Sequence, residues 1–552
     1  MKDLIRKLVP DNFNEIVALV ALFRPGPLES GMVGDYIDRK HGRSEVVYPH
    51  PELESILKPT YGVILYQEQV MQIAQVLGGY TLGAADILRR AMGKKDPAEM
   101  ARQRLVFVQG AVERAVDEDL ANLIFDQMET FAGYGFNKSH SAAYALIAYQ
   151  TAWLKAHYQA AFMAAVLSSD MHNTDKVDDF IHECRNLKLT VLPPDINSSH
   201  HAFTVQDDAT ICYGLGALKG VGHAAIDIIE NEREAHGVYQ DLADFCTRMD
   251  LQKVNRRAMD VLIRSGAMDT LDSDQNRARM LHELPASLQA AEQSQRDRES
   301  GQIDMFGSVG IDGAGTSSGS DTQSLHTIEH QTIRPWTRLQ GLQAERGTLG
   351  LYLTGHPVEL QMRDLSHFTT CKLGDIEAMM PDQAKDKRRR TPMVLAGLVR
   401  AIRRRGSRGG FVSIEDHSGR VEVALFDEAW SLYADLLNKD EIIVVDGHLS
   451  TDDFSGGFRM TAQKVMTLSA AKSRFARGIQ ISLRGPDEDI CTALQSTFLP
   501  YRNGSGRVWL DYSNARARAR LELSEEWGVN ACAELVAALG DLETVSDARL
   551  IY

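Results

Sequence analysis

Two short stretches near the amino terminus combine residue types that bind phosphate. Arg89-Arg90 and Lys94-Lys95 place four cations within seven residues, after a stretch with helical spacing. A doubled arginine offers two planar guanidinium groups, which suit the oxygens of a triphosphate better than a point charge does. The alternative is the solvated carboxyl end of a helix, where cations are favoured in any case.

Residues 133–141 (Gly-Tyr-Gly-Phe-Asn-Lys-Ser-His-Ser) have a more specific pattern. Glycine lets the backbone approach a ligand closely, and one of the two serines can cap a following helix. A helix amino terminus beside Lys138 and His140 predicts an anion site, and Tyr134 predicts a surface on which a base or a sugar stacks. The alternative is a glycine-rich turn with a buried tyrosine.

A hairpin that binds the DNA backbone is predicted at Lys219, Gly220, Val221 and Gly222. The glycines expose backbone N–H groups at the start of a helix, the valine anchors the hairpin in the core, and the lysine adds charge. Such N–H groups bind phosphate without reading base sequence. A basic stretch at residues 253–257 can border the same backbone. The alternative is an ordinary connection between helices with glycine C-caps.

A short peptide between a polar helix and a Gly/Ser-rich linker contains Gln302, Asp304, Met305 and Phe306. A Met-Phe pair in a polar setting is hard to explain by burial alone. The pattern predicts a peptide whose apolar pair docks in the pocket of a partner. The alternative is a local cluster that folds the linker back onto the protein.

Period-two alternation begins near residue 392 and predicts five strands, at 393–402, 410–415, 420–426, 441–449 and 457–466. A helix at 428–437, between the third and fourth strands, completes the order of an OB-fold barrel. Residues 385–408 carry ten Lys or Arg and one Asp, a net charge of +9. Basic loops beside strand aromatics predict a surface for single-stranded nucleic acid. The candidate residues are Arg400, Arg403, Arg404, Arg405, Arg408 and Phe411. A structural barrel with a solvated basic loop is the alternative.

The overall pattern predicts a multidomain α+β protein without internal repeats. Its six predicted segments are residues 1–195 (mostly helical), 196–300 (hairpin and polar helix), 301–330 (peptide and flexible linker), 331–391 (connector), 392–470 (OB fold) and 471–552 (small α/β domain). Within the first segment, apolar residues from Ala143 to Leu154 keep helical spacing, which predicts an amphipathic helix.

The whole-chain charge limits the functions that are possible. The chain has 60 Lys and Arg against 75 Asp and Glu, a net charge of −15, which argues against coating nucleic acid by bulk charge. Six widely spaced cysteines without a Cys-x-x-Cys pair make a thiolate zinc site or a disulfide framework unexpected. Reduced thiols in an acidic chain predict a cytoplasmic location.

With these residues identified, the chain resembles the α subunit of the bacterial replicative DNA polymerase III, of the proteobacterial type. The matching stretches are residues 22–27, 61–69, 89–95, 133–144 and 351–357. The resemblance covers nearly the whole chain and fades in the linker and in the last eighty residues.

The resemblance implies template-directed DNA synthesis from dNTPs and a role for each segment. Residues 1–195 correspond to the fingers. It implies that the incoming nucleotide is faced by Arg89, Arg90, Tyr134, Lys138 and His140. It also implies binding of primer–template duplex and single-stranded template, of the β sliding clamp at residues 302–306, and of the clamp-loader τ subunit at residues 471–552.

The catalytic metal site is expected to lie elsewhere. Two-metal phosphoryl transfer, for which Mg²⁺ is expected, needs carboxylates on one face of a rigid element. The Asp-x-Asp candidates, at residues 117–119 and 272–274, lack strand-like apolar neighbours. We therefore expect no catalytic metal ligand in this chain. The resemblance implies that the palm aspartates lie before Met1, and we expect no activity of the 552 residues alone. The alternative function is a non-catalytic DNA-binding scaffold that recruits the clamp and its loader.

Overall fold

A computed structural model describes nine stretches of the chain, residues 1–94, 97–132, 135–299, 333–380, 390–406, 409–451, 457–484, 490–513 and 518–552. The contacts divide the chain into two compact units, Met1–Phe162 and Met163–Tyr552. Within these stretches, no helix has both the length and the apolar character needed to cross a bilayer.

The first unit is helical. Its helices are α1 (Lys2–Leu8), α2 (Phe13–Leu22), α3 (Pro25–Glu29), α4 (Met32–Lys40), α5 (Glu54–Leu57), α6 (Gln67–Val76), α7 (Leu82–Lys94), α8 (Pro97–Val112), α9 (Glu118–Ala132) and α10 (Lys138–His157). One apolar core joins α6 to α9 around Phe107 and Phe125, and a second joins α2 to α4 around Leu22 and Tyr36. The unit boundary lies within α11 (Gln159–Ser169).

Helix α2 begins with a side-chain cap that its sequence predicts. The Asn12 side chain accepts a hydrogen bond from the Glu15 backbone N–H at 3.2 Å, which satisfies one of the free N–H groups of the first turn. The Glu15 carboxylate reaches back to the N–H of Asp11, at 2.9 Å, rather than to that of Asn12. Glu15 is buried, and its carboxylate also pairs with Lys40 and accepts a hydrogen bond from the Tyr61 hydroxyl.

The second unit begins with α12 (Thr174–Asn186) and a small sheet of β1 (Thr190–Leu192), β2 (Thr204–Asp207) and β3 (Thr210–Cys212), in the order β1-β3-β2. The helices that follow are α13 (His223–His236), α14 (Leu242–Arg248), α15 (Arg256–Ser265), α16 (Arg277–Glu299), α17 (Arg338–Leu349), α18 (Met362–Leu365) and α19 (Ile376–Met379). The polar helix predicted in this region is confirmed as α16.

The predicted five-stranded barrel is confirmed. Its strands are β4 (Thr391–Arg404), β5 (Gly409–Glu415), β6 (Arg420–Phe426), β7 (Ile442–Thr451) and β8 (Phe458–Thr467), and they close in the order β4-β5-β6-β8-β7. Helix α20 (Asp427–Tyr433) follows β6, as the sequence predicts. Gly410 admits the Trp430 ring, because a Cβ there would lie 2.4 Å from a ring carbon.

The chain ends in a four-stranded sheet with helices, which confirms the predicted α/β segment. Helix α21 (Leu468–Phe475) leads into β9 (Gly478–Arg484), α22 (Ile490–Phe498), β10 (Arg502–Ser513), β11 (Arg518–Glu522), α23 (Ala533–Gly540) and β12 (Val545–Ile551). The strand order is β11-β10-β9-β12. The core around Phe498 and Leu535 lies between this sheet and its helices.

Candidate nucleotide and nucleic-acid interface

The doubled arginine lies inside α7 rather than beyond its end. Arg89 bonds Asp86 through Nε and Nη2, at 2.9 and 2.7 Å, and Arg90 reaches the other oxygen of Asp86 at 2.8 Å. The hydrogen bond from Arg89 and the charge of Arg90 lower the pKa of Asp86. One carboxylate therefore orients both arginines and offsets part of their charge.

The amino terminus of α10 carries its own anion. The Glu68 carboxylate accepts from the Lys138 N–H at 3.0 and 3.1 Å and from Asn137 Nδ2 at 3.0 Å. The cap is Asn137, whose side chain accepts from the His140 N–H, so the prediction that a serine caps this helix is wrong. Since a carboxylate occupies this terminus, a ligand phosphate must displace Glu68 or bind beside it.

Two neighbouring residues of α6 connect these features. Gln67 accepts from Arg89 Nη1 at 3.4 Å and donates to the Gly135 carbonyl at 3.1 Å, while Glu68 holds the start of α10. Sequence reasoning missed Arg24, whose guanidinium lies 4.3 Å from the centre of the Phe136 ring. Its place within the matching stretch at residues 22–27 was the available signal.

Helix α10 exposes the apolar residues that its spacing predicts as one side of an amphipathic helix. Ser141 and Ala145 are buried. The exposed large side chains are Tyr144, Leu146, Ile147, Tyr149, Trp153 and Leu154. The helix is predicted correctly, and Ala145 joins the core of α2 to α4, but the large apolar side chains of α10 are exposed in the described chain.

The hairpin at residues 219–222 has the predicted backbone geometry. Gly220 has a φ of 102°, which favours glycine, and Val221 is buried. Gly222 is the N-cap of α13 without a side-chain cap, so the N-cap side chain satisfies none of the first-turn N–H groups. Lys219 is exposed beside them. The element before the hairpin is only a 3-10 turn, Leu215–Ala217.

A second hairpin, which sequence reasoning missed as a repeat, precedes α15. Val254 is buried as Val221 is, and Asn255 takes the N-cap position that Gly222 has in the first hairpin. Ala258 and Met259, three and four positions after Asn255, are buried. Ala225 and Ile226 have the same positions after Gly222 and are also buried. The signal available in the sequence was the same spacing, in both hairpins, of the valine, the N-cap residue and the alanine.

The OB barrel separates the predicted DNA-binding arginines into two groups. Arg400 is only 14% exposed and pairs with Glu415 at 3.1 Å and with Asp178 of α12, so its placement favours a structural role. Arg404 and Arg405 are exposed and make no ion pair with another described residue. Arg403 is exposed and pairs with Glu422 at 2.5 Å.

An aromatic surface lies beside these exposed arginines, on the second and third strands of the barrel. Phe411 is half-buried, lies opposite Arg403 in the β4–β5 register, and has the Arg459 guanidinium 5.1 Å from its ring centre. The exposed Phe426 ring meets it edge-on, at 6.1 Å between centroids. Phe458 packs against the barrel core. Oligonucleotides bind this face in OB folds.

One cluster in the described stretches has the spacing of a metal site, formed by Asp178, His182 and Glu415. Both of its carboxylates pair with Arg400 and Arg420. A divalent cation would have to displace two guanidinium groups, so these residues do not fit one. We derive no metal-dependent step from them.

The Asp-x-Asp candidates serve local structure. Asp117 accepts from the Leu120 N–H at the start of α9. Asp272 accepts from the Asn276 N–H and pairs with Arg279.

Several predicted site residues lie outside the described residues. They are Tyr134, Gln302, Asp304, Met305, Phe306 and Arg408, together with the linker predicted at 307–325.

Comparison with known proteins supports the features above. Family models match residues 1–115 (bacterial DNA polymerase III alpha subunit finger domain), 188–280 (helix-hairpin-helix motif), 393–468 (OB-fold nucleic acid binding domain) and 493–542 (DNA polymerase III subunit alpha, C-terminal domain). Over 540 residues the chain is 49% identical to DNA polymerase III subunit alpha of Vibrio cholerae. This match covers 96% of this chain and 45% of the relative.

This chain belongs to the bacterial DNA polymerase III α-subunit family. The relative of the same description in Escherichia coli K12 is 48% identical over 543 residues, or 96% of this chain and 45% of the relative. The DNA polymerase III subunit alpha of Pseudomonas aeruginosa is 46% identical over 565 residues. This match covers 98% of this chain and 46% of the relative. The chain thus spans about half the length of these α subunits, and it corresponds to their C-terminal region.

Proposed function

We propose that the chain acts in template-directed DNA synthesis by a bacterial replicative polymerase, in which it binds the nucleotide, the duplex and the single-stranded template. The observation that carries this proposal is the pair of hairpins, each with a buried valine directly before the N-cap of a helix. Two such hairpins hold a duplex through its phosphates without reading sequence, as a polymerase that copies any template requires.

The segments have separate roles in this proposal. Residues 1–195 act as fingers, and 196–300 bind the duplex and, with 301–330, the β sliding clamp. Residues 331–391 connect to the OB domain at 392–470, which binds single-stranded DNA, and residues 471–552 contact the clamp-loader τ subunit. The cytoplasm, which holds the bacterial chromosome, is the proposed location.

The nucleotide and metal roles rest on the first unit and on the family. Arg89 and Arg90 pair with Asp86, the Lys138 N–H bonds Glu68, and Arg24 lies over the Phe136 ring. The four cationic residues and two carboxylates carry a net charge of +2. This charge supports binding of a dNTP triphosphate, with His140 beside it, because neutralisation and positioning are most of what a protein supplies in phosphoryl transfer. Mg²⁺ is the metal that we propose for the complete polymerase.

Replacing the N-cap glycine of the first hairpin tests the duplex site. We expect Gly222→Asp to weaken binding of a blunt duplex by about tenfold or more, because its carboxylate would lie where the phosphate binds. Helix α13 should not suffer, since Asp is a favoured N-cap and nothing lies within 4 Å of a Cβ at this position.

Gly222→Ser is the matched control, because serine caps the helix without adding charge. Fluorescence anisotropy with a labelled duplex measures both variants, and thermal unfolding checks that they fold. Equal duplex affinity of Gly222→Asp and Gly222→Ser would contradict the phosphate site.

A salt titration tests the single-strand surface. Binding of a labelled oligonucleotide by the full chain should fall steeply with salt, because phosphate contacts release counterions. Replacing both Arg404 and Arg405 with Gln should reduce the slope of log K against log salt by about 1.4, at about 0.7 per phosphate contact on a single strand. An unchanged slope in this variant would count against the basic loop as the DNA contact.

A further inference from the structure

An acidic face of α12 is bound to the OB barrel by two arginines. Asp178 pairs with Arg400 and, at 2.5 Å, with Arg420 Nη2. Asp179 receives Arg420 Nη1 at 2.5 Å. Helix α12 is followed by the β1–β3 sheet and then by the first hairpin, whereas the two arginines belong to β4 and β6. The contact therefore links the hairpin region to the barrel.

The barrel supplies its own carboxylate to the same network. Glu415 accepts from Arg400 Nη1 at 3.1 Å and from Arg420 Nε at 2.9 Å. Burial raises the pKa of Glu415, but the charges of Arg420 and Arg400 outweigh burial and hold the pKa below its usual value. The Asp178 and Glu415 side chains are only 8% and 5% exposed. Charged hydrogen bonds in such a setting have strict geometry.

The connector at residues 331–391 also contacts α12. Arg185, further along α12, donates to the carbonyls of Tyr352 and Leu353 at 3.0 and 3.3 Å. Helix α12 is therefore held by both the connector and the barrel. Helix α12, the connector and the barrel therefore meet at one set of polar contacts.

We infer that Asp178, Arg400 and Arg420 form a joint that fixes the OB single-strand surface relative to the duplex-binding hairpins. A DNA molecule with a duplex and a single-stranded arm is then held by both surfaces at once. Binding of one arm raises the effective concentration of the other, and a fixed geometry preserves this gain. Asp178 is thus a positioning residue, and the inference rests on the proposed DNA-binding function.

The test compares three DNA ligands on the full chain. They are a blunt duplex, a single strand, and a duplex with a single-stranded 5′ overhang. We expect Asp178→Asn to bind the overhang DNA about tenfold more weakly than the unmodified chain, because the gain from effective concentration is lost. Its affinity for each separate arm should change by less than about twofold, since Asp178 lies at neither DNA surface.

Control variants separate a lost joint from lost folding. Asp511→Asn removes a carboxylate that holds Arg520 at 2.7 and 2.9 Å in the C-terminal sheet, and it should leave all three affinities unchanged. Arg420→Lys keeps the charge but loses the planar fork, and should give an intermediate loss for the overhang DNA alone. Thermal unfolding is measured for each variant.

The outcomes distinguish the joint from the proposed function. If the unmodified chain binds neither separate arm, the proposed DNA-binding function fails. If both arms bind but Asp178→Asn keeps full affinity for the overhang DNA, or weakens all three ligands equally, the joint is overturned. A loss confined to the overhang DNA supports it.

Discussion

Lys40→Met is expected to destabilise the first unit by about 3–5 kcal/mol, because it removes the cation from a buried ion pair. The Lys40 ammonium pairs with Glu15 Oε2, and the two side chains are only 6% and 2% exposed. Tyr61 donates its hydroxyl to Glu15 Oε1 at 2.6 Å. Methionine has a similar length but leaves the carboxylate buried without a counter-charge.

Local hydrogen exchange of peptides from α2 and α4 measures this loss. Burial raises the pKa of Glu15, but hydrogen bonds from Lys40, Tyr61 and the Asp11 N–H outweigh burial and hold the pKa below its usual value. In Lys40→Met the loss should be smaller at pH 4 than at pH 7, because protonation removes the uncompensated charge. A pH-independent loss would indicate that packing, rather than charge, is what the lysine provides.

Lys7→Met is the matched control. Lys7 pairs with Asp3 at 2.8 Å, but the two side chains are 63% and 78% exposed. An exposed pair of this kind contributes about 0–1 kcal/mol. A comparable loss in Lys7→Met and Lys40→Met would contradict the importance of burial at Glu15.

The barrel was predictable because its signal is local. Alternating apolar residues in β4 to β8 specify strands whose inward side chains fill one core, and the strand bounds differ from prediction by at most two residues. The role of Arg400 was not predictable in this way. Asp178 is separated from Arg420, which shares this network, by 242 residues along the chain. No local pattern reports such a pairing.

The start of α10, where we propose that the nucleotide binds, also depends on a contact between residues distant in sequence. Helical spacing in α10 indicates an apolar side, but it does not say whether the covering surface belongs to the same stretch of chain. The carboxylate at the start of α10 comes from Glu68, 69 residues before Asn137. Sequence reasoning found the helix amino terminus and its cations, whereas the internal anion required the fold.

Acidification is expected to destabilise the junction of α12, the connector and the barrel. Burial lowers the pKa of His356 to about 4, despite the nearby acidic Glu415 and Asp416. Burial also lowers the pKa of His182 to about 3, with the charges of Arg420 and Arg185 acting in the same direction. Both imidazoles are therefore neutral in the folded protein at pH 5 to 6.

The sign of the effect follows from proton binding. An unfolded histidine takes up a proton below about pH 6.5, whereas folded His356 takes one up only near pH 4. Between these values the unfolded state binds more protons, so stability is present above pH 6.5 and falls as the pH falls. Each such histidine contributes a slope of about 1.4 kcal/mol per pH unit.

His356→Asn isolates one of these contributions. His356 is 4% exposed and accepts from the Val358 N–H through Nδ1 at 3.3 Å, and the asparagine side-chain oxygen can accept the same bond without titrating. We expect the pH dependence of exchange in β5 and β6 peptides to flatten by about 1.4 kcal/mol per pH unit between pH 6 and 4.5. His236→Asn, at an exposed position, should leave the slope unchanged. The carboxylates elsewhere in the chain contribute equally to the pH dependence of both variants, so their contribution cancels in the comparison. Equal slopes would therefore mean that His356 takes up its proton as readily in the folded protein as in the unfolded one.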